Sequence, residues 1–585
     1  MKNKLRVVLQ VSILFFAISI NTYSQELTIL HTNDMHSKLT GYGPESEYTP
    51  LSINDDGTIG GFARLSTLFA NSKEQHKDAT LILDAGDFLM GSLFHVAEEE
   101  TGFQLNLMKK MGYDVITLGN HEFDFGPETL VNILSSAKKN GGYPEIVSAN
   151  MQIPIKFILN TKLRLLEGRD AIRSYTVVNK NGLKIAVFGL LGIDAAHVAP
   201  LSKPINFEEP IKAAKRIVEI IKCRENPDLI ICLSHSGIDH EKDKKGNIQG
   251  EDINLANEVP DIDIIISGHT HSTTEKPIVV NNTYIVQTGS YVNNLGEINL
   301  KVENGKIADF KFKLIPVDDK IQGDKQVYNE IEKQKEFINK KYLAPAKLTY
   351  NTKVAQINFD LTMDYNNLKE SNLGVFVADA TKYYLQENGI NPDFSMVASG
   401  TIREDLLKGK NGIITVPDIF RVMSLGRGYD EVPGYPLAMI YITGREVKKL
   451  MEILSMSRAK GGNGYLYTSG LKIYTNPKKM MLHKVRKVEL NGKVLDISKK
   501  NKKLYSITAN TYLLSFLGEI KKMSHGLISV IPKDKNGNPI TDMKNQLIDI
   551  NPNKEGVQEA KEWIALIEYM KSFEKGSKNL PVIPE

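Results

Sequence analysis

The sequence predicts an α/β layered fold with a central sheet in its first half, then a linking helix and a smaller second α/β region. Three observations carry that reading. Up to about Pro316, short β-rich apolar runs alternate with amphipathic helical stretches, the pattern of strands and helices that pack in layers. A polar, helix-forming segment follows, and a second alternating region runs from about Ala346 to Leu547. The length of 585 residues agrees, because single cores stop growing at roughly 250–300 residues.

Taken in order, the chain begins with Lys2, Lys4 and Arg6. An apolar stretch from Val7 to Ile20 follows, then small and polar residues. A membrane-spanning helix needs about 20 apolar residues, so this order predicts a signal peptide over residues 1–24, cleaved near Ser24. No Cys follows the apolar run, and no other stretch is long and apolar enough to span a membrane. The mature protein is therefore expected to be soluble, without a lipid anchor, and exported to the periplasm or outside the cell.

The first domain is expected over residues 25–318. Its strands read "ELTILHTND", "ATLILDAGD", "DVITLGN", "EIVSAN", "KIAVFGLLG", "DLIICLSHSG" and "DIDIIISGHTHS". Between them lie amphipathic stretches such as Phe103–Met111 and Pro210–Lys222. "VVNKNGLKIAV" carries Asn181–Gly182, which predicts one antiparallel hairpin. "DKQVYNEIEKQKEFINKKYL" predicts the linking helix, within residues 319–345. The second region is expected over 346–550. Residues 551–585 are expected to form a charged helix, from Gly556 to Lys575 around Trp563, and a tail.

The composition, 41% hydrophobic and 24% charged, is that of an ordinary globular protein. A net charge of +4 is small for this size and argues against a protein that wraps nucleic acid. Cys223 and Cys232 cannot form a disulfide framework. Cys232 lies in an apolar run, and two buried thiols are expected rather than a bridge.

Most of the first-domain strands end in a polar cluster: Asp34 and His36, then Asp87, then Asn120, His121 and Asp124, then His235, then His269 and His271. In open α/β sheets ligands bind beyond the carboxyl ends of the strands, so these clusters are expected to converge. Imidazole and carboxylate suit a pair of divalent cations such as Zn, Mn, Co, Fe or Mg. Each cluster alone is weak evidence, but five of the twelve histidines fall within them. His31, His76, His95 and His240 are read as surface or packing residues.

The order Asp-x-His, Gly-Asp, Gly-Asn-His-Glu, a lone His and Gly-His-x-His resembles the calcineurin-like metallophosphoesterases. The fuller forms "LHTNDMHS", "GNHEFDFG" and "SGHTHS", with the second region, are similar to the bacterial 5′-nucleotidase, UDP-sugar hydrolase and cyclic-nucleotide phosphodiesterase family. The resemblance implies a four-layer αββα first domain and a C-terminal domain that binds the nucleoside part and swings it to the metals. It implies that Asp34, His36 and His271 hold one ion, that Asn120, His235 and His269 hold the other, and that Asp87 bridges them. Some family members carry Gln or Asn at the position of His271. It further implies that His121 addresses the substrate phosphate with Asp124 orienting its ring, while Glu122 supports the turn. The reaction implied is in-line attack on a phosphoester by a metal-bridging hydroxide.

In the second region "ESNLG", Glu370–Gly374, and "SGLKIY", Ser469–Tyr474, match family motifs, and Arg403 in "GTIRED" stands at a substrate-binding arginine. A planar guanidinium suits a bidentate grip on phosphate. Other positions depart from the family. Ala398 stands where Asn is common, and Leu425 in "MSLGRG" replaces a base-stacking Phe. Asn367 or Lys369 replaces an upstream Arg, and "NTYLLSFLGEI" keeps the aromatic Tyr512 without the Gly-Gly-Asp-Gly run. Gly426–Tyr435 could rebuild the pocket through Tyr429 or Tyr435. The expected partner is a small phosphoester, a nucleotide first. Cyclic nucleotides, sugar phosphates and sulfur esters are the alternatives. A non-catalytic binding protein on the same scaffold is opposed by the complete ligand set.

Overall fold

The computed structural model describes residues 24–585 apart from 44–46, 161, 167–171, 240–245, 247, 365–366, 458–464, 477, 481–482, 499, 516 and 518–529. Residues 1–23 of the predicted signal peptide, His240 and most of "SFLGEI" therefore lie outside the described residues.

Two sheets stack in the first half. Gln25–Thr32, Thr80–Asp84, Val115–Thr117 and Glu145–Val147 lie in a seven-stranded sheet. Leu183–Leu191, Leu229–His235 and Ile264–Ser267 lie in a six-stranded one. Their runs of Ile, Leu and Val are buried on both faces, as parallel strands covered on both sides must be. The inner faces share one core, in which Leu27, Ile29, Leu81 and Leu83 meet Ile185, Val187, Ile231 and Ile264. The outer face of the smaller sheet packs on the helices Pro210–Glu225 and Glu251–Glu258. The outer face of the larger sheet packs on Phe62–His76, Phe103–Met111 and Pro127–Asn140. This is the expected helix–sheet–sheet–helix layering.

The Asn181–Gly182 hairpin forms as predicted, with Lys180 opposite Leu183 and both turn residues at positive φ. The linking helix is Lys325–Ile338, capped by the Asp324 carboxylate, which accepts from Gln326 N at 2.7 Å. Its polar composition conceals an apolar face: Val327, Ile331 and Ile338 are buried in the first domain's core. Cys232 is buried, but Cys223 is exposed, which corrects the expectation of two buried thiols. The buried stripe of its helix runs through Ala213, Ala214, Ile217, Val218 and Ile221, and position 223 falls off that stripe.

The second region is built on a four-stranded sheet, ordered Leu437–Thr443, Leu504–Asn510, Phe394–Ala398, Leu466–Ser469. The C-terminal helix is shorter than expected, Glu562–Lys571. The residues before it pair as extended chain instead: Ala560 O accepts from Leu437 N at 2.8 Å. Nor does it stand apart as a charged rod. Trp563, Leu566, Ile567 and Met570 are buried, and the Trp563 indole donates to Pro433 O at 2.8 Å. Among the described residues no helix is long and apolar enough to cross a membrane.

Glu562 opens that helix with its carboxyl buried. Oε2 accepts from Asn510 Nδ2 at 2.9 Å, and Oε1 has no hydrogen-bond partner among the described residues. Burial outweighs the Asn510 bond and pushes the acid up to about 7. A raised folded pKa stabilises the fold where the acid stays protonated and withdraws that stability as pH climbs from the ordinary carboxyl range through about 7. Glu562→Gln, which removes the buried charge, is expected to raise the unfolding temperature at pH 8, by a free-energy gain of at most about 3 kcal/mol, and to change little at pH 4. Calorimetry at both pH values checks this; equal gains at the two would remove titration as the cause.

Candidate active site

Gln25–Thr32, Thr80–Asp84 and Val115–Thr117 run parallel in one sheet, and Leu229–His235 and Ile264–Ser267 run parallel in the other. The loops at the carboxyl ends of all five open on one edge. There the structure gathers three overlapping groups whose donor atoms lie within 4.8 Å of one another: Asp34 with His36 and His271, His36 with Asp87 and His121, and Asp87 with His235 and His269. Asn120 is buried beside them: its neighbour His121 donates its backbone N–H to Asp87 Oδ1 at 2.9 Å.

The imidazoles are aimed by the backbone. His36 Nδ1 lies 3.1 Å from Met90 O, and His235 Nδ1 lies 2.8 Å from Ala85 O. A carbonyl only accepts, so Nδ1 carries the proton and Nε2 presents its lone pair in the neutral ring. His36 Nε2 then lies 3.0 Å from His271 Nε2, which is 3.6 Å from Asp34 Oδ1. His235 Nε2 lies 3.0 Å from Asp87 Oδ2. In the neutral ring the His235 lone pair thus faces a carboxylate in a buried space, an arrangement that a proton or a bound cation relieves. Burial works against a protonated His235, but the Asp87 and Asp34 carboxylates overcome it and push the ring up to about 10. Burial also pushes Asp34 up to about 6, against the pull of His235. The Asn120 Oδ1 is buried without a hydrogen-bond partner among the described residues. This donor set of imidazole, carboxylate and amide oxygen fits divalent cations.

Backbone strain concentrates at the same place. Asp34, His36, Asp87, His269 and His271 have φ of 50, 49, 54, 73 and 55°. Side chains adopt this left-handed region rarely, at a cost of about 1–3 kcal/mol each. Tight loops hold them there. Asp34 N donates to Gly86 O at 2.9 Å and His36 N to Asp87 O at 3.0 Å. Asn33 Nδ2 donates to Asp34 Oδ2 at 2.7 Å, while its Oδ1 accepts from Thr288 N at 2.9 Å.

His121 begins a short 3₁₀ turn, and its Nδ1 lies 2.5 Å from Asp124 Oδ2. Burial pulls the His121 pKa down, but Asp124 and Asp87 overcome it and raise it. Glu122 faces the other way. Its buried carboxylate accepts from Asp87 N, Leu89 N and Gly119 N at 3.1, 2.9 and 2.6 Å, so it supports the turn as expected.

Arg403 enters from the second region. It lines a cavity of about 350 Å³ between the two halves, together with Tyr42, Tyr291, Glu404 and Arg421. Its charge opposes protonation of His36, His121 and His271. Tyr512 lies close enough for Asp124 and Arg403 both to act on its hydroxyl. Leu425 is buried, and its carbonyl accepts from Tyr435 N at 3.0 Å. The Tyr435 ring stacks on Tyr512, with centroids 5.1 Å apart and planes at 17°. Tyr429, the other aromatic considered for this place, is 58% exposed beneath the Lys544 ammonium and does not join them.

Sequence reasoning missed Asp194, whose Oδ2 lies 3.1 Å from His269 Nε2. The strand-end signal that found the other clusters was there, because Asp194 follows the Leu183–Leu191 strand. It also missed Tyr291, whose ring packs edge-on against His271 at 5.3 Å and tilted against His36 at 5.4 Å. No motif marks "GSYVNN" as part of a site.

Comparison with known proteins agrees with this geometry. Residues 27–273 match the calcineurin-like phosphoesterase family, and residues 349–524 match the 5′-nucleotidase C-terminal domain. The chain is 28% identical over 514 residues to the trifunctional nucleotide phosphoesterase protein YfkN of Bacillus subtilis, covering 83% of this chain and 32% of that longer protein. It is 27% identical over 486 residues to the 5′-nucleotidase of Vibrio parahaemolyticus, covering 77% of this chain and 78% of that one. Its fold is similar to the crystal structure of a 5′-nucleotidase precursor from Thermus thermophilus, with a TM-score of 0.67, 20% identity, and coverage of 96% of this chain and 100% of that one. The chain thus belongs to the metal-dependent phosphoester hydrolases that join a calcineurin-like phosphoesterase domain to a 5′-nucleotidase C-terminal domain.

Proposed function

We propose that the chain is an exported phosphoesterase that uses two divalent ions to hydrolyse nucleotides or closely related phosphoesters. The observation that carries this reading is the His121–Asp124 pair set against the Asp87 cluster, with Arg403 opposite. Asp34, His36 and His271 would hold one ion and Asn120, His235 and His269 the other, with Asp87 shared. When bound, such ions supply positive charge to the phosphoryl oxygens and acidity to the attacking water. The chain's own residues do the rest. Arg403 grips the phosphate and counters its charge. Asp124 holds His121 Nδ1 and leaves Nε2 to face the substrate. As an imidazolium, His121 donates that proton to the phosphoryl oxygens or to the departing oxygen as water attacks in line from the opposite side. Export rests on the basic, apolar, polar order of residues 1–24.

Two sets of variants test the roles. Asp87→Asn is expected to lower the ion content at both positions, while Asn120→Ala mainly empties one. Elemental analysis decides, and a normal two-ion content in Asp87→Asn would remove the shared carboxylate. His121→Ala is expected to keep both ions and lose roughly 10²–10⁴ in kcat. Loss of ions in proportion to activity would make His121 a ligand instead.

The leaving-group side supports a broad preference. Tyr435 and Tyr512 already stack on each other. A base inserted between two rings needs their planes about 7 Å apart, at contact distances of about 3.5 Å on each face. A base therefore meets one aromatic face at most as the rings stand, beside the apolar Leu425. Under one metal condition, kcat/KM for AMP is expected to exceed that for ribose 5-phosphate by less than about 10³, which corresponds to about 4 kcal/mol. A larger ratio would mean that strong base recognition survives.

A further inference from the structure

We propose that Asp194 is a positioning residue for the ion beside His235 and His269, fixing which nitrogen of the His269 ring is free to bind it. The inference rests on the two-ion reading above and adds a residue to it. His36 and His235 share one logic: a carbonyl takes Nδ1–H and Nε2 is left as the donor atom. His269 reverses it. Its Nε2 lies 3.1 Å from Asp194 Oδ2. A carboxylate only accepts, so Nε2 carries the proton and Nδ1 is left with the lone pair.

The backbone of His269 is fixed independently of this contact. Its φ is 73°, and its N–H donates to both oxygens of the Asp34 carboxylate, each at 3.0 Å. What remains free is rotation of the ring, which packs tilted against His235 at 5.3 Å and is held through Nε2 by Asp194. Asp194 is itself anchored. It stands in the first turn of the short helix Ile193–His197. The Glu251 carboxylate accepts from Ile193 N at 2.7 Å and from Asp194 N at 3.0 Å. Next to Glu251, the buried Asp252 accepts from Ser234 Oγ and Ser267 Oγ, each at 2.5 Å, and from Gly237 N at 3.1 Å. One helix turn thus ties down both strand ends that carry His235 and His269 and the short helix that carries Asp194.

The Asp194 side chain is 70% exposed, and that of His269 is 12% exposed. A pair whose carboxylate is this exposed contributes little to fold stability, so its loss is expected to fall on the ion and not on the fold. A carboxylate behind a metal-binding imidazole fixes the ring and raises its basicity, and removing such a partner typically costs 10–100-fold in metal affinity.

The test uses the full chain loaded with zinc alone. Wild type, Asp194→Ala, Asp194→Asn and His269→Ala are dialysed against graded chelator, and zinc content is measured. Asp194→Ala is expected to lose one zinc with 10–100-fold weaker affinity and to hold the other normally. Asp194→Asn keeps a carbonyl acceptor and is expected to recover most of that loss. The metal-free forms should unfold at the same temperature. Imidazole ¹⁵N spectra of the zinc-loaded wild type should show His269 protonated at Nε2. Wild-type affinity in Asp194→Ala, while His269→Ala loses one zinc, would overturn the positioning role alone. Equal loss in the Ala and Asn variants would also overturn it, since charge and not ring orientation would then be the cause. Retention of both zincs in His269→Ala would instead overturn the ligand assignment on which the proposal rests.

Discussion

Two carboxylates, Asp34 and Asp87, are buried among imidazoles at the meeting edge of two sheets, and the rest of the molecule serves to make that placement tolerable. Isolated buried anions cost many kcal/mol unless they are paired or bound to a cation. The surrounding groups are consistent with the second solution. Backbone carbonyls take the outward nitrogens of His36 and His235. Asn33 and the His269 amide hold Asp34 in place. What is left pointing inward is negative or lone-pair-bearing. The layered fold supplies the geometry, because only stacked parallel strands bring so many chain turns to one line while their apolar residues fill the space behind.

The second region completes what the first leaves open. Its core is separate around Phe394, Ile440 and Ile507, yet much of it is continuous with the first domain through the cluster that joins Phe94, Tyr350, Phe420 and Trp563. Lys38, buried two residues from His36, forms an ion pair with Glu404 across the two halves, and its ammonium lies 4.6 Å from the centre of the Tyr42 ring. The position of Arg403 relative to the cluster is thus held by buried charge as well as by apolar contact.

Much of this was legible in the sequence because it is written locally. Strand runs, the Asn181–Gly182 turn and the strand-end clusters are short patterns with direct physical meaning, and parallel topology does the work of bringing them together. The strand-end position of Asp194 was legible but its partner was not, and nothing in the sequence marked Tyr291. Each depends on a contact with a residue at least 75 positions away, at His269 for the first and at His36 for the second. Tyr429 and Tyr435 illustrate the same limit: six residues apart, one faces solvent and the other stacks on Tyr512. The C-terminal helix was misjudged because its charges are local but its apolar face is explained by distant elements, the Asn372–Glu387 helix first and the Val416–Val422 helix beside it.

The left-handed backbone at five of the seven candidate ligands acts as a filter on sequence drift. At most loop positions a chance replacement must only be soluble. At Asp34, His36, Asp87, His269 and His271 it must also accept a positive φ, which β-branched residues do badly and Asn, Asp, His and Gly do well. The residues that the main chain admits with least strain are then largely those that can also hold a cation, Gly aside. Selection for folding and selection for chemistry press on these positions in the same direction, so the loops can be expected to keep their donor character even where the substrate changes.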